Sequence, residues 1–403
     1  MSRTTLPLLF VNGNPYAISF EEAETKAHIN YALLEEDHGP APSISTDALP
    51  LHITTVDLIT VIDSVRSGVG RDNRDIYATV LAPLFKKLAI KHTYTQTKSA
   101  SDITNFARSL DLSKSHTIVL ISGDTSVYEL YNGLFSQHYT GTAQPLHVAL
   151  IPFGSGNSIS LSSGISSIET AIQYLFTSST STSLPFYKAT LPPGTHTTTG
   201  TPITTPLLFS VTLTFAIHAN LVWVAEQPDL RDVGIDRFKI AAARVLEQDL
   251  TVPLSLTCAT TGSPSSSSKQ LTKSTAHAYL NVLAVPCIEK GYYISPNSHI
   301  DNQQLHIIHF DVAPPDDLMS LLSMPYQGPQ TQHIHHPSVE YIAVPKEESI
   351  FIEFLDERVE KSTCCIDGIV VRVDEPKGKR VQIDSVTRDE IGFDLKVVGM
   401  NAI

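Results

Sequence analysis

Ser122, Gly123 and Asp124 follow four consecutive apolar residues, 118–121, and precede Val127, Leu130, Tyr131 and Leu134 at helical spacing. That order reads as a buried strand, a tight turn and a helix start. Such a turn gathers unpaired backbone N–H groups and the positive end of a helix dipole, which suits a phosphate. Gly123 allows close backbone approach. Asp124 could cap the helix, hold Mg²⁺ or accept a hydroxyl proton; for a loop met alone, the cap is the commoner case. The segment HVALIPFGSGNSISLSSG repeats the geometry, with Pro152, then Gly154-Ser155-Gly156 and Asn157 before a short helix. A third loop, Ser67-Gly68-Val69-Gly70 with a basic Arg71, follows an earlier apolar strand. Each could be a plain turn, but three glycine-bearing loops at one sheet edge point together to a polyanion site.

The elements that would carry these loops are legible from periodicity. Apolar β-branched runs at 52–62, 90–95, 117–121 and 147–151 read as strands. Between them Ile76, Val80, Leu84 and Leu88 share one helical face, as do Ile103, Phe106 and Leu110. Alternation of strand and helix implies a mostly parallel α/β sheet. Beyond about residue 163 short strand-like runs follow, mostly antiparallel, at 207–220, 276–285, 304–310, 339–344, 349–354, 369–373 and 380–383, interrupted by one helix near 235–250. Ser-, Thr- and Pro-rich stretches at 178–206 and 259–274 read as solvated excursions. The expected organisation is an N-terminal extension at 1–50, holding a strand and a loop, an α/β nucleotide-type domain at 51–160, and a β-rich domain at 161–403 whose end returns to the first.

The 403 residues, 42% hydrophobic, suffice for two domains. A net charge of −13 argues against nucleic acid and against steady docking on anionic membranes. Four cysteines without CxxC spacing fit a reduced compartment, and the apolar stretch at 6–11 is too short for a signal-peptide core. A cytoplasmic protein with at most transient, peripheral membrane contact is the expectation.

In combination the motifs resemble the diacylglycerol kinase and sphingosine kinase family of lipid kinases, closest to its sphingoid long-chain-base members. SGDTSVYELYNGL resembles the family's Gly-Gly-Asp-Gly block, written with Ser first in sphingosine kinases, and IPFGSGN its Pro-x-Gly-Ser/Thr-Gly-Asn. SVRSGVG resembles the opening phosphate loop, LRDVGIDRFKIAA an arginine block, SPNSHIDNQQLHIIHF the block with Asp-Gly-x-Leu, and CIDGIVV the closing Asp-Gly-Glu. The resemblance implies a nucleotide domain of the phosphofructokinase and NAD-kinase kind, a β-rich antiparallel sandwich domain, and ATP with Mg²⁺ as cofactors. Ser67, Gly68, Thr97, Ser122, Gly123, Gly154, Ser155, Gly156 and Asn157 would line the nucleotide, and Glu129 would sit near its adenosine or phosphates. Arg231 and Arg237 would neutralise phosphate charge, Asp367 with Gly368 would approach from the far domain, and Asp124 would be the catalytic base or metal-linked carboxylate. The implied partner is a membrane-derived lipid, a sphingoid base or diacylglycerol, with a homodimer left open.

Three positions depart from the family pattern. Thr125 stands where it has the second Gly, Ile369 replaces the closing Glu, and Val224 falls where it has a lipid-hydroxyl Asp, with Glu226, Asp229 or His218 as nearby substitutes. They motivate a second reading, a catalytically degenerate lipid- or nucleotide-binding relative. Trp223, Phe209 and Phe215 are guesses at an acceptor pocket, with ordinary core the alternative. A zinc site at His333 and His335 on one strand face lacks an acidic or Cys partner nearby, and no protein-built metal site is expected.

Overall fold

The computed structural model describes residues 2–24, 27–65, 67, 68, 70–230, 233, 237–260, 268–328, 330 and 332–399. The chain divides into two compact units, Met1–Leu184 with Ile391–Ile403, and Pro185–Glu390.

The first unit opens on a four-stranded sheet where the sequence suggests one strand and a loop. Strands β1 (Arg3–Val11), β2 (Asn14–Glu22), β3 (His28–Leu34) and β4 (Ser43–Ile44) lie in the order β3-β2-β1-β4. Asn12 and Gly13, both with positive φ, make the β1–β2 turn. Asn-Gly is the residue pair that a two-residue hairpin with right-handed twist selects.

The central sheet holds β5 (Leu58–Asp63), β6 (Thr93–Gln96), β7 (His116–Ser122), β8 (Leu146–Pro152) and β9 (Ser181–Ser183). Its order is β6-β5-β7-β8, then Leu395–Val398, then β9. All pairings are parallel except the last. Residues 118–121 of β7 are wholly buried, which is why the strand reads as an unbroken apolar run rather than an alternation. The expected strand at 52–62 is in part a helical turn, α1 (Leu51–Thr54), before β5 begins. Helices α2 (Ala82–Lys87), entered through a π-helical turn at Tyr77–Leu81, α3 (Asp102–Ser109), α4 (Asp124–Phe135), α5 (Ser158–Ser162) and α6 (Ile168–Thr177) complete the unit. Because α6 packs on β8 and β1, residues 161–184 belong here and not to the β-rich part.

The second unit contains two antiparallel sheets. One runs Leu207–Phe209, Tyr187–Thr190, Arg380–Ser385, Glu348–Phe354, Val252–Thr260 and Lys269–Gln270; the other runs Thr195–Thr197, Ile369–Val373, Cys364–Ile366, Thr212–Phe215, Tyr279–Leu283, Leu305–Phe310 and Glu340–Val344. The rings of Phe215 and Phe354 meet between the sheets at 6.2 Å. The stretch 178–206, expected as a solvated excursion, contributes three of the molecule's strands. The run at 207–220 is two short strands that lead into helix α7 (Ala216–Ala225), and α8 (Arg237–Leu246) packs beside it. A run apolar on all sides carries no period to separate helix from strand. A further helix, α9 (Pro315–Ser323), carries Pro at its first turn and Asp316 and Asp317 after it, start signals that the sequence reading passed over. Of the excursion at 259–274, residues 261–267 lie outside the described residues.

Candidate functional site

Parallel neighbours in the order β6-β5-β7-β8 bring the loops at their carboxyl ends side by side. Gly123 and Gly154 touch backbone to backbone. A Cβ on Gly123 would lie 2.7 Å from the Cα of Gly154, and one on Gly154 would collide with Gly123 in turn. Gly68, at φ +64°, presses against the Phe153 carbonyl, so a side chain there would be both strained and obstructed. Asn157 adopts the left-handed conformation and closes its loop: its Oδ1 accepts from the Gly154 N–H at 3.0 Å, and its Nδ2 donates to the Gly154 carbonyl at 2.8 Å. Ser67, Gly68, Ser122, Gly123 and Gly154–Asn157 thus share one rim, with Ser155 exposed. Thr97 is tied to it by donating its N–H to the Asp63 carbonyl at 2.9 Å.

Asp124 is the first residue of α4, and Gly123, not Asp124, is that helix's N-cap. The Asp124 carboxylate caps a different helix. Its oxygens accept the N–H groups of Ser158 at 2.5 Å and Ile159 at 3.1 Å, at the start of α5. This locks the loop after β7 onto the loop after β8. Burial raises the Asp124 pKa above the ordinary carboxylate range, and the two N–H bonds oppose the rise. The net effect is a more basic carboxylate than a free one, with lone pairs remaining beyond those that bond α5. Thr125 is the second residue of α4 and lacks positive φ, so a Cβ there causes no backbone strain. Glu129, also on α4, is pushed up to about 7 by burial, with Asp102 at the start of α3 adding to the shift.

Beneath the rim lie two arginines that sequence reasoning undervalued. Arg71 pairs with Asp63 at 2.6 Å and donates to the carbonyls of Ser64 at 2.7 Å and Ile121 at 2.8 Å. Its guanidinium therefore binds loop to strand. Arg74 donates to the carbonyls of Gly70 at 2.9 Å and His28 at 3.2 Å. Both lie over the Phe153 ring, at 4.8 and 4.5 Å. The spacing of two arginines after a glycine loop was the available signal.

The remaining candidates belong to the second unit. Asp367 is buried at φ 44° with Gly368 at φ 92°, forming the turn between Cys364–Ile366 and Ile369–Val373. Its carboxylate accepts the N–H groups of Ser210 at 2.8 Å, Val211 at 3.1 Å and Thr212 at 2.7 Å. Arg237 pairs with Glu226 at 3.2 Å, and Asp229 with Arg244 at 2.7 Å. Arg231 lies outside the described residues. Phe209 and Phe215 are core, whereas Trp223 is half-buried on α7 beneath Arg372, 3.7 Å from its ring centre. His218, near Tyr279, is held neutral by burial, its pKa lowered to about 4. His333 and His335 sit in a 3₁₀ turn rather than on a strand face, and a His333 ring nitrogen meets the Ile294 carbonyl at 2.9 Å.

Glycine at 68, 123 and 154 lets the loops pack backbone against backbone, because a Cβ at any of the three would run into the neighbouring loop. Among the described residues no three His, Cys, Asp or Glu groups converge on a metal position. A Mg²⁺ ion here would be carried mainly by phosphate oxygens and water, with Asp124 the carboxylate at hand.

Residues 59–184 match the diacylglycerol kinase catalytic domain. The chain is 35% identical over 90 residues to Sphingosine kinase 1 of Arabidopsis thaliana, covering 22% of this chain and 19% of that protein. It is 30% identical over 100 residues to that plant's Sphingoid long-chain bases kinase 1, covering 25% and 13%. The match thus spans less than a fifth of these relatives' length. A solved putative diacylglycerol kinase from Bacillus anthracis str. Sterne shares the fold with a TM-score of 0.53 over 86% of this chain and 98% of that one, at 17% identity.

Proposed function

From the match of residues 59–184 to the diacylglycerol kinase catalytic domain, we propose that the chain is a member of the diacylglycerol and sphingosine kinase family and transfers the γ-phosphoryl group of ATP to the hydroxyl of a sphingoid base or a diacylglycerol. The observation that carries this reading is the rim of Gly68, Gly123 and Gly154 with Asp124 at its centre. Phosphoryl transfer needs little covalent chemistry from a protein and much positioning and charge stabilisation. Loops built on glycine let the backbone come close to the phosphates. Bound Mg²⁺ would supply neutralisation of the phosphate charge. Asp124, fixed by α5 and made more basic by burial, accepts the proton of the acceptor hydroxyl. Contact with a membrane is brief and serves to collect the lipid.

The test is transfer of label from ATP, with Mg²⁺, to a panel of sphingoid and glycerol lipids, beside Asp124→Ala and Asp124→Asn. The lipid that accepts label identifies the substrate class. Both variants are expected to lose at least about a hundredfold in rate. Transfer left intact in Asp124→Asn sinks the role given to Asp124. A second reading, a nucleotide-binding relative without transfer, is favoured by Val224 and Ile369, apolar where the family pattern is acidic, and by an Asp367 carboxylate bonded to backbone. ATP binding without labelling of any lipid selects it.

A further inference from the structure

We infer that Arg74, held in place by the N-terminal sheet, is the positioning residue that sets the phosphate loop and lends it a positive charge. The inference rests on the reading of that loop as a nucleotide site. Arg74 is only 8% exposed, yet it forms no ion pair among the described residues. Asp63, the carboxylate that acts on it, is already engaged by Arg71 at 2.6 Å. A desolvated guanidinium without a counterion is costly to keep, and the cost is recovered when an anion arrives nearby.

The hydrogen bonds show how the charge is placed. Arg74 donates to Gly70, the last residue of the loop, and to His28 at the start of β3. From the same sheet, the Asn30 N–H donates to the Asn73 carbonyl at 2.5 Å, and the Tyr31 ring packs 5.9 Å from that of Phe153. Phe153 in turn carries the carbonyl against which Gly68 rests, and its N–H donates to Ser122 at 2.9 Å. β3 therefore reaches all three glycine loops through one guanidinium and one ring. Two donors of Arg74 meet carbonyls and the Tyr31 hydroxyl lies beside the guanidinium, so the residue acts on a phosphate through its charge and through the loop it fixes, not by touching the reacting atoms.

The experiment measures calorimetric Kd for ATP with Mg²⁺ in the full chain, in Arg74→Met and in Arg74→Lys, together with hydrogen exchange in each protein with and without ATP. Expected is a Kd at least tenfold weaker in Arg74→Met, substantial recovery in Arg74→Lys, and slower exchange of residues 28–34 in the wild type when ATP binds. Unchanged Kd in Arg74→Met overturns the inference, as does ATP protection of 122–124 and 153–157 that leaves 28–34 unaffected. Should Arg74→Met lose its fold, seen as fast exchange without ATP, the wild-type exchange of 28–34 and the Kd of Arg74→Lys decide. Absence of ATP protection anywhere in the wild type refutes the nucleotide reading, and this inference with it.

Discussion

At the scale of single residues, two carboxylates with similar sequence signatures do different work. Asp124 and Asp367 each stand beside a glycine, yet one is half-buried at a helix start and the other is buried in a turn against three consecutive N–H groups. Glu129, which the family resemblance puts near the nucleotide, adds a titration. With its carboxyl pushed up to about 7, it is neutral below that pH and negative above it. A negative charge beside a polyphosphate repels it, so ATP affinity should fall as pH rises from 6 to 8. In Glu129→Gln that dependence should flatten; calorimetric titration at four pH values compares the two, and an unaltered profile in the variant removes Glu129 from the nucleotide's surroundings.

Among elements, the decisive object is the contact between the loops after β7 and β8. Its closeness depends on two missing side chains, and neither loop alone reveals that. Gly154→Ala must push the Gly123 backbone away, since the added Cβ meets backbone rather than a movable side chain. Overpacking of this kind costs about 1–3 kcal/mol. The expected outcome is a modest loss of stability in urea titration with ATP binding weakened at least about tenfold. Serine at Ser155, which is exposed on the same loop, provides the control: Ser155→Ala should leave the urea midpoint in place. Elsewhere, sequence periodicity failed where an element is buried all round. The apolar run of α7 reads as strand from the sequence, although only its neighbours Thr212–Phe215 form one.

For the molecule as a whole, two units are joined twice along the chain, at 184–185 and at 390–391, and no helix among the described residues is long and apolar enough to cross a membrane. Acid sensitivity is built into the second unit. His277 and His306 are buried there, and burial lowers each to about 4. A histidine whose folded pKa lies below its unfolded value near 6.5 stabilises the fold fully above 6.5, and the contribution is lost as pH falls toward 4. Each should cost up to about 1.4 kcal/mol of stability per pH unit within that window. Urea midpoints at pH 7.5, 6 and 5 should fall in that order, and less steeply in His306→Gln; a midpoint that rises on acidification contradicts the assignment.

The sequence by itself determined the three glycine loops, the parallel sheet beneath them and the resemblance to a lipid-kinase family, because each loop motif is local: a buried apolar strand, a glycine and a helix start are written within some fifteen residues. It also placed most of the antiparallel strands, whose β-branched runs are equally local. Only the tertiary structure decided that Gly123 meets Gly154, that Asp124 caps α5 rather than its own helix, and that residues 1–50 fold into a sheet whose third strand grips the phosphate loop through Arg74. Those facts join residues some thirty to fifty positions apart, and the partner of a carboxylate or guanidinium at that separation is fixed by the packing of whole elements, which no local pattern records.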